Sequence, residues 1–184
     1  QLYSVRSRGS WGVGDADDLT ELVSFLGDEG ADFLLINPLH AAEPTGAMTP
    51  SPYLPVTRRF VNPIYIRPEN VPEVARLSGP QRSLVQWALE EVAEQDLSSA
   101  PIDRDAAWKA KREALEVIFD AGRSRARQRD LERFRAEQGE GLERHGRQPR
   151  CPGRPARDGA DAGRFLQGLK ARLEEGRFEG SLGL

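Results

Sequence analysis

A single cysteine, Cys151, stands in the 184 residues, so no disulfide can form within the chain and no thiolate zinc cluster can be built. Aromatic residues are scarce at 7%, and hydrophobic residues reach only 38%, while charged residues make up 30%. Compact domains carry roughly half apolar and a quarter charged residues, so this composition predicts long solvated helices or loose segments. No apolar run approaches the ~20 residues of a membrane span, and no basic stretch followed by an apolar one opens the chain as a secretion signal would. Neither sign of charge dominates. The formal net charge is −3, with no global field to draw nucleic acid or an anionic membrane. These absences predict a cytoplasmic protein without nucleic-acid or membrane partners. The length suffices for one ordinary domain but falls short of the ~250 residues of a complete (β/α)8 barrel. The chain opens on Gln1 rather than Met, inside a strand-like run, which suggests a truncated N-terminus.

Within these bounds the first forty residues are patterned. Leu2, Tyr3 and Val5 read as a short strand. The glycine-rich stretch Trp11-Gly12-Val13-Gly14 reads as a loop, and Asp15 as the N-cap of a helix over about 16–28. Asp17 and Asp18 sit in that helix's positive first turn. Leu19, Leu22, Val23 and Leu26 share one helical face, and Gly30 suits the C-terminal end. Phe33-Leu34-Leu35-Ile36 reads as a strand buried on both faces. Strand, helix and strand predict a βαβ unit, with the strands at 2–5 and 33–37 as parallel neighbours and the helix outside them. Residues 41–59 form a long loop holding Pro44, Pro50, Pro52 and Pro55. Pro63 argues against a central strand in the apolar stretch Phe60–Ile66.

The character then turns helical. Ser78-Gly79-Pro80 opens one helix, with Leu84, Val85, Ala88, Leu89 and Val92 as its apolar side. Asp103 caps a second, with Ala107, Ala110, Ala114, Leu115 and Ile118 inward. A third spans Ser124 to Glu137, with Leu131 and Phe134 inward. Trp87 and Trp108 read as packing residues. Residues 144–163 are rich in Arg, Gly and Pro and carry almost nothing apolar, so no core can form there. A short helix is predicted to return at Phe165–Glu175.

Three ordered stretches, Trp11-Gly12-Val13-Gly14-Asp15 before a leucine-rich helix, Asn37-Pro38-Leu39-His40-Ala41, and Ser51-Pro52-Tyr53 with Thr57-Arg58-Arg59-Phe60-Val61-Asn62-Pro63-Ile64-Tyr65-Ile66, together resemble the 4-α-glucanotransferase (amylomaltase) family in its longer bacterial form. The likeness covers roughly residues 1–68 and implies an N-terminal fragment of such an enzyme. The implied fold is α/β: an incomplete (β/α)8 TIM barrel with a helical subdomain insertion. Residues 1–70 would form the first βα units and 71–143 the insertion, with 144–184 an atypical tail that departs from the family pattern as a shifted reading frame would. The implied activity is transfer of 1,4-α-glucan segments between maltodextrins by retaining double displacement, with no metal or other cofactor. That chemistry needs two carboxyl groups only ~5 Å apart across the scissile bond. In the family these carboxylates lie on later barrel strands, so no catalytic residue is assigned here and the chain alone is expected to be inactive.

The resemblance also implies which residues meet the glucan. Tyr53 would lie beside the sugar next to the bond that is cut. Aromatic rings pack on the C–H faces of sugars, and the tyrosine hydroxyl adds a hydrogen bond. Asn62 and Asn37 lie at strand or loop ends where their amides could bond sugar hydroxyls, and with Ser51 they complete the set of expected substrate-binding residues. Other features have plainer readings. His40 has no ligand partner at metal spacing and reads as structural. Gly12 and Gly14 lack the third glycine of a phosphate-binding fingerprint. Asp15, Asp17 and Asp18 read as helix capping rather than a catalytic cluster. The remaining alternatives are a fragment of an α-amylase-like glycoside hydrolase and a non-catalytic α-glucan-binding or structural module.

Overall fold

The structure, a computed structural model, describes residues 1–42, 47–48 and 50–146, with side chains as far as 142. Residues 147–184 of the expected tail, with Cys151 and the helix expected at 165–175, lie outside the described residues, as does Pro44.

Among the described residues, four α-helices and one small sheet make up the regular structure, joined by short 3-10 turns. Helix α1 runs Ala16–Asp28, and its start follows the sequence: the Asp15 carboxylate accepts the backbone N–H of Asp17 and Asp18, while the Asp18 carboxylate accepts the N–H of Asp15. Its end is a Schellman turn. Gly30, at φ +87°, donates to Gly27, and Ala31 donates to Leu26. Strand β1, His40–Ala41, pairs antiparallel with β2, Thr57–Val61. The apolar stretch leaves the ladder at Asn62 and continues as a 3-10 turn, Pro63–Tyr65, in keeping with the proline.

Helix α2, Gly79–Glu90, starts with Pro80 in its first turn and Gln81 folding back on the Ser78 N–H. Helix α3, Arg104–Asp120, is capped by Asp103 and buries Ala107, Ala110, Ala114, Leu115 and Ile118, all as its 3.6-residue pattern predicts. Helix α4, Arg125–Gly146, buries Leu131 and Phe134 and breaks at Gly139, whose φ of +47° is outside helical geometry. Phe134 before the break and Leu142 beyond it both pack with Ala41 and Phe60 of the sheet. Arg59 of β2 holds the break in place, donating to the Gln138 side chain at 2.9 Å.

The main core lies between α2, α3 and the segment around Ile66 and Leu77, and the fully buried Trp11 belongs to it. A second cluster joins Leu2, Val13, Met48, Ile64 and Tyr65 to Ala107 of α3. Helix α3 is therefore shared by both.

Three expectations are corrected. Leu2–Ser4 is a 3-10 turn and not a strand. Phe33–Ile36 takes no regular secondary structure, and Phe33 and Leu35 are 86% and 88% exposed, so the parallel pair does not form among the described residues. A doubly buried strand requires hydrogen-bonding neighbours on its edges and packing on both faces. Here the Leu2 N–H is instead taken by the Asn37 side chain, and Leu2–Ser4 closes on itself through the Gln1 carbonyl. Trp87 is 61% exposed and lies off the core that α2 buries, whereas Trp108 packs against the second cluster as expected.

Candidate functional site: a loop cleft held by a buried charge cluster

The glycine-rich motif builds an interior hub. Trp11 is fully buried at φ +59°, and its indole N–H donates to the Glu69 carboxylate at 2.9 and 3.0 Å. The Asp96 carboxylate receives the N–H of Gly9 and of Gly12 at 2.9 and 2.6 Å. A Cβ at Gly14 would stand 2.1 Å from the Val5 carbonyl oxygen and 2.2 Å from that of Leu2, so only glycine lets the backbones meet there.

Asp15 does more than cap α1. Its carboxylate takes Arg67 Nη2 at 3.0 Å and Nε at 3.1 Å, and Lys111 Nζ of α3 at 3.3 Å. The Lys111 ammonium also donates to the Ile64 carbonyl at 2.9 Å. Arg67 reaches Asp18 as well, at 2.8 Å. Lys111 is completely enclosed, and burial drives its pKa down against the opposing pull of Asp15. Burial likewise raises the Asp15 pKa, resisted by Lys111 and Arg67. Asp18 goes the other way. Burial would raise it, but hydrogen bonds from Ser7, the Asp15 N–H and Ser10, with the Arg67 charge, hold it below the usual carboxylate range. Asp15 and Asp18 thus face cations and hydroxyls inside the protein. Among the described residues, no group of three His, Cys, Asp or Glu side chains could hold a metal ion.

Above this hub lies a narrow cleft lined by, among others, Tyr3, His40, Ser51, Asn62, Tyr65 and Arg104. Its free space is about 30 Å3, room for a water molecule and not for a glucosyl unit. Arg104, from the first turn of α3, stacks over the Tyr3 ring at 4.6 Å.

The four residues expected to meet substrate are divided by this geometry. Ser51 and Asn62 line the cleft together. Tyr53 stands outside it, 60% exposed, with no partner for its hydroxyl among the described residues, and its N–H donates to the Ser51 hydroxyl at 3.3 Å. Asn62 is buried and its side-chain Oδ1 accepts the Ile64 N–H at 3.1 Å, capping the turn that follows β2. Asn37 is buried too. It accepts the Leu2 N–H at 2.7 Å and donates to the Pro38 carbonyl and the Tyr65 hydroxyl at 3.0 and 3.3 Å. His40, half-buried in β1, lines the cleft.

Sequence reading missed Arg67, Asp96, Asp105 and Lys111. Only Lys111 carried a visible signal: it falls four residues after Ala107 and three before Ala114, on the buried face of α3.

Comparison with known proteins agrees with the resemblance. The 4-alpha-glucanotransferase family (Glyco_hydro_77) matches residues 1–148. The 4-alpha-glucanotransferase of Mycobacterium tuberculosis is 45% identical over 150 residues, covering 78% of this chain and 20% of that protein. The Haemophilus influenzae 4-alpha-glucanotransferase is 36% identical over 124 residues, 65% of this chain and 17% of its own length. The crystal structure of amylomaltase from Corynebacterium glutamicum superposes with a TM-score of 0.80 at 40% identity, covering 95% of this chain and 26% of that one. The chain thus spans about one fifth of the length of the curated relatives it matches, and it belongs to the 4-alpha-glucanotransferase family.

Proposed function

We propose that the chain forms part of a 4-α-glucanotransferase that moves 1,4-α-glucan segments between maltodextrins in the cytoplasm, with the catalytic carboxylates supplied by sequence outside these residues. In this reading residues 1–70 belong to the first βα units of a (β/α)8 barrel, and residues 71–143 are a helical insertion that rests on them through α3. The family match over residues 1–148 carries the reading. The exposed ring of Tyr53, beside a cleft that holds Ser51 and Asn62, supports it locally. Tyr53 offers an open aromatic face and a free hydroxyl to a sugar, while Ser51 fixes its backbone. Asn62 lines the cleft, and Asn37 stands behind it, donating to the hydroxyl of the cleft-lining Tyr65.

A graft tests this. Residues 1–142 replace the matching segment of the Corynebacterium glutamicum amylomaltase, and the folded chimera is given maltotriose. Glucose together with longer maltodextrins is the expected outcome, and the 184-residue chain alone yields neither. A chimera that melts cooperatively but lengthens no glucan refutes the transfer reading, and shortening without lengthening favours a hydrolase. Within an active chimera, Tyr53→Ala costs on the order of 2–3 kcal/mol of transition-state binding, roughly 30- to 150-fold in turnover. Tyr53→Phe recovers the packing share. If Tyr53 only packs the loop, Tyr53→Ala lowers the melting temperature and leaves turnover intact.

A further inference from the structure

The segment carrying Ser51 and Tyr53 has few means of holding its own shape. Pro50, Pro52 and Pro55 contribute no backbone N–H, and residues 50–56 form no regular structure. Its downstream end is tied to the sheet, where the Val56 N–H donates to the Ala41 carbonyl at 3.0 Å. Its upstream end is tied elsewhere. The Met48 N–H donates to a carboxylate oxygen of Asp105 at 2.6 Å, across 57 residues of sequence. The Met48 side chain is buried with Leu2, Val13 and Ile64 against Ala107 of α3, so side chain and backbone anchor at the same place. Next to Asp105, Arg104 lines the cleft.

We propose that Asp105, in the first turn of α3, is a positioning residue: its carboxylate pins Met48 and so fixes the loop that presents Ser51 and Tyr53 to the glucan. The role in glucan transfer rests on the function proposed above; the pinning of the loop does not. A charged acceptor on an amide gives one of the stronger hydrogen bonds in proteins. With the sheet bond at Val56 it closes the loop at both ends, which limits the orientations open to Tyr53.

An acidic residue in a helix's first turn also favours the helix dipole. Two variants separate these roles. Asp105→Asn keeps an acceptor oxygen but loses the charge, while Asp105→Ala loses both. Hydrogen exchange of the 184-residue chain is followed in peptides over residues 47–56 and 104–120 of the same sample. In Asp105→Ala the loop peptide exchanges about five- to tenfold faster and the α3 peptide is unchanged. Asp105→Asn, with the acceptor but not the charge, restores part of the loop's protection. The pinning is overturned if the loop rate does not move, if loop and helix rates rise together, or if Asp105→Asn behaves as Asp105→Ala. In the active chimera, Asp105→Ala raises KM for maltotriose and lowers kcat, and Asp105→Asn recovers part of each. Unchanged kinetics in an active chimera overturn the positioning role alone. A chimera that folds but lacks transfer, with the exchange result intact, overturns the function and not the pinning.

Discussion

Replacing Lys111 by Met tests the charge cluster directly. Methionine keeps most of the apolar stem, so the change removes the ammonium with little loss of volume. In the native chain that ammonium meets Asp15 at 3.3 Å and the Ile64 carbonyl at 2.9 Å, with both charged side chains fully enclosed. Removing one member of a buried pair costs about 3–5 kcal/mol, because the other stays behind as an uncompensated charge. Asp15 retains Arg67 at 3.0 Å, which places the loss near the lower end, about 3 kcal/mol. Asp15→Asn is the complementary change. It keeps an acceptor for the first turn of α1 but strands the Lys111 ammonium, again at about 3 kcal/mol or more. In the double variant neither charge is stranded, so its cost falls below the sum of the singles by about 2 kcal/mol. Urea unfolding followed by tryptophan fluorescence measures all four proteins, with the buried Trp11 as a probe of the hub. With a slope of about 2 kcal/mol per molar urea, Lys111→Met shifts the midpoint by about 1.5 M. A shift worth less than about 1 kcal/mol, or costs that simply add in the double variant, refutes the ionic reading. Lys111 would then sit neutral in the core, as its burial favours, and act through packing and the Ile64 hydrogen bond.

Two further outcomes follow from the same hub. Gly14→Ala forces a methyl group against two backbone oxygens and is expected to cost more than about 3 kcal/mol, seen as a large drop in the urea midpoint or loss of soluble protein; a variant as stable as the parent would show that the turn at Leu2–Val5 moves freely. Asp18 is held below its ordinary pKa, so its stabilisation is present above the unfolded value of about 3.9 and is lost as pH falls through the folded value. Asp15, raised by burial, contributes with the opposite sign, so the measurement is the stability difference between parent and Asp18→Asn: it is full above about pH 4 and shrinks below it. A difference that is flat through the acid range contradicts the assignment.

What the sequence determined by itself is the set of local structures whose causes lie within a few residues. Asp15 and Asp103 start helices because a side-chain oxygen reaches N–H groups two or three residues on, and Gly30 ends one because glycine tolerates positive φ. Helix α3 buries the residues its period selects, and the proline-laden loop and the turn at Pro63 are where proline's missing N–H puts them. The three family motifs were legible for the same reason: each is short and contiguous. Tertiary structure decided what depends on partners far along the chain. An apolar run of four, Phe33–Ile36, has the composition of a buried strand, but a strand exists only where another backbone takes its hydrogen bonds, and no such ladder forms among the described residues. A lysine reads as solvent-exposed until a fold encloses it, and only the packing of α3 on the glycine-rich motif puts Lys111 beside Asp15, 96 residues away. Asp105 looks like one more acidic residue in a first turn, and its hold on Met48 exists because the loop after β1 returns to α3.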